Sequence, residues 1–185
     1  MSTLREYLVQ KREALLRRRA EFESKPAEPF VFGARVTAEG RSGVRRIRIR
    51  DYQIISDSPP DFAGYGLGPG SPEIQLGVLG SCITHVFLIQ AADREVILDS
   101  LEVEVTGQLD QRAGRPGFEH IPVYPHNIRY TVHLKSPASN EVIRQLHEAV
   151  ERACPILNLL LNPQQIEGSI LLNAEPAPDR VAAAD

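Results

Sequence analysis

Two cysteines, Cys82 and Cys154, are the residues of this chain whose type and placement best suit chemistry. Cys82 lies in the most apolar stretch of the sequence, with His85 one helical turn further on, and a cation beside a thiol favours the thiolate. Cys154 directly precedes Pro155, which a helix does not easily pass. The residues alone leave two possibilities open, a reactive thiol pair brought together by the fold and two ordinary buried cysteines.

Other chemistries have weaker support in the spacing of the residues. His120, His126 and His133 form no pair with recognised zinc-ligand spacing, so we expect no metal and no bound cofactor. Ser81 lacks the GxSxG frame of a hydrolase nucleophile, and the glycines of residues 64–70 lack the Lys-Ser/Thr of a phosphate loop. A cysteine-dependent hydrolase or transferase would also need an orienting His–Asp pair, which the sequence does not indicate.

The composition bounds the partners and the compartment. A net charge of −3 gives no general attraction to nucleic acid, so we expect no nucleic-acid partner. The first residues are charged where a signal peptide needs an apolar core, which favours a cytoplasmic protein. Residues 74–92 are nearly long enough to span a membrane, but polar residues interrupt them, and we interpret them as a buried central helix.

Helix signals surround the two cysteines. A capping box predicts an amphipathic helix over residues 3–24. Ser71, Pro72 and Glu73 predict the start of an apolar helix that runs to about residue 94, with Ser71 as its cap. A third helix is expected to begin at residues 136–139, Ser-Pro-Ala-Ser, and to end at Cys154, with a further helical turn or two after it.

Strand signals fill most of the remaining chain. Alternating patterns and turn residues predict strands over residues 30–38, 44–55, 101–107, 123–134 and 166–172. A glycine turn at residues 39–43 joins the first two as a hairpin. Blocks of strands without regular β-α alternation favour an α+β fold.

Two segments around the cysteines resemble motifs of the OsmC/Ohr family, the osmotically inducible and organic-hydroperoxide-resistance proteins. Residues 68–82, which open with Gly-Pro-Gly-Ser-Pro-Glu and close with Gly-Ser-Cys, resemble its central-helix motif. Residues 151–158 resemble its Cys-Pro-x-x-Asn/Ser segment, and residues 98–105 and 114–118 fit the family pattern between the two motifs. The resemblance spans about residues 30–173.

The resemblance implies a fold and a reaction. The fold is OsmC-like, with antiparallel sheets packed around two central helices, in an intertwined homodimer whose two active sites lie at the subunit interface. The reaction is that of a thiol-dependent peroxidase, in which Cys82 reduces an organic hydroperoxide and becomes a sulfenic acid. Cys154 would resolve the sulfenic acid by forming a disulfide, and an external dithiol or lipoyl-type reductant would reopen it.

The resemblance also implies two charged site residues. Glu73 matches a glutamate at the start of the central helix that pairs with an arginine near the reactive sulfur. Arg41, in the glycine turn, best matches that arginine, and Arg35, Arg45 and Arg46 are the alternatives. A guanidinium there would stabilise the thiolate and the charge on the departing oxygen.

The predicted organisation has three parts. An amphipathic helix and linker occupy residues 1–29, the OsmC-like domain residues 30–173, and a flexible tail residues 174–185. The leading hypothesis is a cytoplasmic peroxidase. The alternative is a catalytically weak OsmC-like protein that binds a lipid or another small hydrophobic ligand.

Overall fold

The computed structural model describes residues 3–25, 28–173 and 175–176. Most of the predicted tail therefore lies outside the described residues. The chain forms four α-helices, one short 3₁₀ turn at Pro60–Phe62 and seven strands within this part. In chain order they are α1 (Leu4–Ser24), β1 (Arg35–Glu39), β2 (Val44–Ile49), β3 (Tyr52–Ser56), α2 (Ser71–Asp93), β4 (Ser100–Gln108), β5 (His126–Lys135), α3 (Asn140–Ala153), α4 (Pro155–Leu161), β6 (Leu171–Leu172) and β7 (Glu175–Pro176).

The hydrophobic core lies between the antiparallel β4–β5 pair and the helices. Inward and outward positions alternate along both strands, as the sequence predicted, and Val103 lies opposite Val132 on the inner face. Residue Gly80 of α2 faces β4 so closely that an added Cβ would lie 3.2 Å from Val105. We call α1 to α4 together with β4 and β5 the helical half.

The apolar helix α2 is the central element of the helical half. It is long and apolar enough to cross a membrane, a test that core helices also pass, and it packs against α1, α3, α4 and β4. Only one face is buried, with Leu79, Ile83 and Phe87 at its centre. The opposite face remains exposed at Gly77 and Ser81, so the helix is less enclosed than we expected from the sequence.

The helix α1 packs along the helical half of its own chain. The capping box at its start is present as predicted, and Leu8 is 6% exposed within the core. Three arginines spaced seven residues apart form ion pairs with the end of α2 and the segment that follows it. These pairs are Arg5–Asp99, Arg12–Glu95 and Arg19–Asp93.

The strands β1, β2 and β3 form a separate antiparallel sheet, which we call the hairpin sheet. We predicted one strand over residues 44–55, and this was wrong because a two-residue turn at Arg50 and Asp51 divides it. Arg50 has a φ of 53°. Turns with a positive φ usually contain glycine or asparagine, and the sequence has neither at this turn. Val36, Ile47 and Ile54 lie side by side on one face of this sheet, and Val36 remains 57% exposed.

Two other predicted strands are much shorter in the structure. Residues 30–34 lie outside β1, and Phe30, Val31 and Phe32 are exposed, Val31 completely. The predicted strand over residues 166–172 is reduced to β6. Both segments have strand-like sequences, but a strand needs a neighbour to pair with its backbone, and among the described residues neither segment has one along its full length.

Candidate functional site

The fold brings the two cysteines together. Cys82, in the fourth turn of α2, and Cys154, at the end of α3, are free thiols whose Sγ atoms are 3.4 Å apart. A disulfide bond is about 2.05 Å long, so the sulfurs must approach by only about 1.4 Å to form one. Cys154 is fully buried and Cys82 is partly exposed. The arrangement therefore suits a thiol that meets a reagent from outside and a second thiol held behind it.

The junction between α3 and α4 fixes the position of Cys154. Cys154 is both the C-cap of α3 and the N-cap of α4, and it has the extended backbone that a residue before proline favours. The side-chain amide of Asn158 donates hydrogen bonds to the carbonyl oxygens of Glu151 (3.0 Å) and Cys154 (2.8 Å). These bonds tie the first turn of α4 to the last turn of α3, and so hold the thiol towards α2.

Burial dominates the electrostatics of Cys82. It raises the pKa of the Cys82 thiol, and the nearby Cys154 sulfur raises it further, because two adjacent sulfurs cannot both carry a charge easily. The backbone N–H of Ile156, in the first turn of α4, opposes this effect and lowers the pKa. No arginine among the described residues contributes to the pKa of Cys82. The thiol pair is thus present within one chain without the cation that would activate it.

A polar cluster beside Cys154 was missed in the sequence. The hydroxyl oxygen of Tyr130, on β5, lies 2.6 Å from Glu151 Oε1 and 2.7 Å from His147 Nε2, both on α3. The His147 ring also stacks on Phe87 of α2 at 5.9 Å between ring centroids. Burial and the hydrogen bond to Glu151 raise the pKa of Tyr130, so the phenol keeps its proton at neutral pH. In the sequence, this cluster could have been recognised from the spacing of His147, Glu151 and Cys154, which places them on one face of a helix.

Glu73 lies in the first turn of α2, whereas Cys82 lies midway along this helix. Its carboxylate accepts a hydrogen bond from Gly70 N–H at 2.6 Å, and Gly70, rather than Ser71 as we expected, is the N-cap of α2. Nine residues of helix separate Glu73 from Cys82, which is about 14 Å along the axis at 1.5 Å per residue. Glu73 therefore cannot contact Cys82 of its own chain while α2 is intact.

Arg41 is exposed in the turn between β1 and β2, where we predicted a turn. The hydrogen bonds of the alternative arginines are also confined to the hairpin sheet and its turns. Arg46 pairs with Glu39, and Arg45 donates to Ser56 Oγ at 3.1 Å. The hairpin sheet itself makes few contacts with α2. The structure thus brings two of the four predicted site residues together in one chain and leaves Arg41 and Glu73 apart from them.

His85, one helical turn after Cys82, has an exposed side chain on the face of α2 near Lys11 of α1. Within residues 3–25, 28–173 and 175–176, no group of three or more His, Cys, Asp or Glu side chains could hold a metal ion.

One family model matches the region of the chain that contains both cysteines. Residues 64–168 match the family model described as OsmC-like protein, and the match includes both cysteines and Glu73 but not Arg41. A search among curated proteins gives no match.

Several solved structures share the fold at low sequence identity. An OsmC-like protein from Mycoplasma pneumoniae is 18% identical, with a TM-score of 0.62 over 72% of this chain and 89% of that one. A putative osmotic stress induced and detoxification response protein from Psychrobacter arcticus is 18% identical, with a TM-score of 0.55 over 72% and 90%. An organic hydroperoxide resistance protein OsmC from Legionella pneumophila is 13% identical, with a TM-score of 0.51 over 72% and 91%.

Proposed function

The chain belongs to the OsmC-like protein family, and from this premise we propose that it is a thiol-dependent peroxidase that reduces organic hydroperoxides. The observation that carries the proposal is the 3.4 Å separation of two free sulfurs, one partly exposed and one buried. Proteins with the same fold are named hydroperoxide resistance proteins, which supports a role in oxidative stress.

The proposed reaction has three steps. The Cys82 thiolate attacks one oxygen of ROOH, the O–O bond breaks, and ROH leaves after taking a proton, so that Cys82 becomes a sulfenic acid. The Cys154 sulfur then attacks the sulfenic sulfur; the S–S bond forms, and the hydroxyl leaves as water with the Cys154 proton. An external dithiol or lipoyl-type reductant reduces the disulfide and is itself oxidised to a disulfide. A reducing compartment such as the cytoplasm would supply that reductant.

We also propose that the working form is a homodimer. Val36 and Ile54 are exposed on either side of the half-buried Ile47, and this row offers apolar surface to a second chain. The unpaired Phe30–Phe32 segment offers backbone groups to it as well. Gly77 and Ser81 on the exposed face of α2 would let a second helix approach closely. In such a dimer the partner's Arg41 and the partner's Glu73 would complete the site around Cys82.

The alternative function is a binding protein for a lipid or another small hydrophobic ligand, without peroxidase activity. It is favoured by one observation, that no described arginine of the same chain acts on Cys82. A partly buried thiol without a cation beside it is a weak nucleophile, because burial disfavours the thiolate.

A peroxide-consumption assay distinguishes these functions. The protein is mixed with cumene or tert-butyl hydroperoxide and a dithiol, and peroxide loss is followed for wild type, Cys82→Ser and Cys154→Ser. We expect continuous turnover of peroxide by wild type and none by Cys82→Ser. In Cys154→Ser, Cys82 should be oxidised without forming an intramolecular disulfide. Equal, slow peroxide loss by wild type and Cys82→Ser would contradict the peroxidase and favour the binding protein.

A further inference from the structure

The spacing of the two sulfurs suits a single atom that bridges them. Their separation of 3.4 Å is much longer than the S–S bond of a disulfide, which is about 2.05 Å. Two thiolates bound to one tetrahedral centre at about 2.3 Å lie about 3.8 Å apart, and a pyramidal centre with narrower bond angles holds them closer together. The pair is therefore nearer to the geometry of a bridged dithiolate than to that of a disulfide, so a bridging atom would bind with little movement of the chain.

The helices hold both sulfurs in place for such a bridge. Cys82 lies on α2, the central helix of the helical half, and the amide of Asn158 fixes the α3–α4 junction by its hydrogen bonds to the carbonyl oxygens of Glu151 and Cys154. Because Cys82 is partly exposed and Cys154 is buried, a reagent reaches Cys82 first. The second sulfur is then already in position to close a chelate.

The donor set selects the kind of atom that can bind. Structural zinc takes four protein ligands, whereas within the described ranges no group of three or more His, Cys, Asp or Glu side chains could hold a metal ion. The pair therefore offers two soft sulfur ligands without a third side chain. Soft thiolates prefer soft centres. A trivalent arsenic atom that carries one organic substituent meets both conditions, because it needs two sulfurs and brings its own third group.

The surroundings of the two sulfurs suit an apolar substituent on that atom. Helix α4 begins directly after Cys154, and the backbone N–H of its residue Ile156 is close enough to Cys82 to act on the thiol. None of the residues of α4 has a charged side chain, and Ile156 and Leu157 pack against the same core as the two cysteines. An aryl group bound to the arsenic would therefore find apolar surface beside the pair.

We propose that Cys82 and Cys154 form a chelating site for trivalent arsenicals with one organic substituent. The Cys82 sulfur attacks the arsenic of R–As=O, and the thiol proton moves to the oxygen, which becomes a hydroxyl on arsenic. The Cys154 sulfur then displaces this hydroxyl, which leaves as water with the Cys154 proton. Two As–S bonds form, arsenic stays trivalent, and binding needs neither peroxide nor reductant. The chelate depends only on the thiol pair, whereas its consequence, the loss of peroxide reduction, rests on the proposed function.

The test uses phenylarsine oxide, and the two cysteines are the only thiols of the chain. Reduced wild type should bind one equivalent, with the loss of both free thiols and of one water by intact mass. The adduct should resist an excess of a monothiol and be released by a dithiol, because both As–S bonds must break. Cys82→Ser and Cys154→Ala can form only one bond, so they should release the arsenical to the monothiol and bind it about 10²–10⁴-fold more weakly.

Two controls separate the chelate from other effects. Wild type whose disulfide has been closed by a mild oxidant has no altered residue, and it should bind no arsenical. Zinc should bind wild type no more tightly than it binds Cys82→Ser, since further ligands are missing. Release from wild type as fast as from the single-cysteine variants would overturn the inference, as would zinc bound as tightly as the arsenical. Because no peroxide is used, this result is independent of whether the protein is a peroxidase.

Discussion

Within one chain, the apolar side chains of the helical half are covered by neighbouring elements, whereas those of the hairpin sheet are not. In the helical half the inward side chains of β4 and β5 meet α2 and α3, and fully buried residues such as Leu79 and Leu146 form a continuous core. In the hairpin sheet the equivalent apolar face remains open, with Val36 and Ile54 exposed on it. The two thiols lie in the first region, and Arg41 lies in the second.

This difference suggests how the site is assembled. The geometry of the thiol pair is set by helices whose packing is complete, so one chain suffices to position it. The proposed activating groups, Arg41 and Glu73, lie on surfaces whose packing is incomplete, and α2 holds Glu73 about 14 Å from Cys82. We therefore infer that a second chain supplies these groups, and the following variants test the two regions separately.

The largest effect is expected from the open face of the hairpin sheet. Val36→Asp places a charge in the apolar row and should give monomers, because a buried unpaired charge is costly at an interface. Peroxidase activity should then fall on the order of a hundredfold, as expected when one charge-stabilising group leaves a site. The distance between the Cys82 and Cys154 sulfurs should not change, so an added oxidant should still form the disulfide.

The control for this variant is Thr37→Asp, at the next position and therefore on the opposite face of β1. Sedimentation or light scattering gives the oligomeric state of both variants. If Val36→Asp stays dimeric and active while Thr37→Asp does not, the assignment of the interface face is wrong.

A smaller effect, on stability, is expected in the helical half. Leu8→Ala removes a buried side chain of α1 and should lower the free energy of unfolding by about 2–4 kcal/mol. Leu16→Ala, on the same helix but 49% exposed, should cost much less. Denaturant titration measures both, and similar losses for the two variants would contradict the packing of α1 on its own domain.

The smallest effect is expected at the junction that holds Cys154. Asn158→Ala removes the hydrogen bonds to the carbonyl oxygens of Glu151 and Cys154 and should cost about 1–2 kcal/mol. It should also slow disulfide closure, in monomer and dimer alike. Asn162→Ala, which loses one exposed bond to the Asn158 carbonyl oxygen, is the matched control. Unchanged closure in Asn158→Ala would show that proline alone fixes the junction.

The sequence predicted the helical half well for physical reasons. Capping residues, apolar periodicity and strand alternation are local signals, and they located all four helices and the paired strands β4 and β5 to within a few residues. The α+β class and the family membership are confirmed. The motifs also single out the two cysteines, whose sulfurs the fold places 3.4 Å apart.

The remaining errors concern interactions that are not local. Residues 30–34 and 166–170 have the composition of strands, but pairing depends on a neighbour that the pattern does not specify. The Tyr130 cluster joins a strand to a helix, and no spacing rule connects them. The contacts of Arg41 and Glu73 with the thiols stay predictions.

The most direct test of the shared site is complementation between two inactive variants. Arg41→Ala keeps both thiols, and Cys82→Ser keeps Arg41, so each homodimer should be inactive. Refolding them together at equal amounts should restore about a quarter of wild-type activity, since half of the dimers are mixed and each mixed dimer has one intact site. Mixed dimers that remain as inactive as both parents would show that the two chains do not share the site.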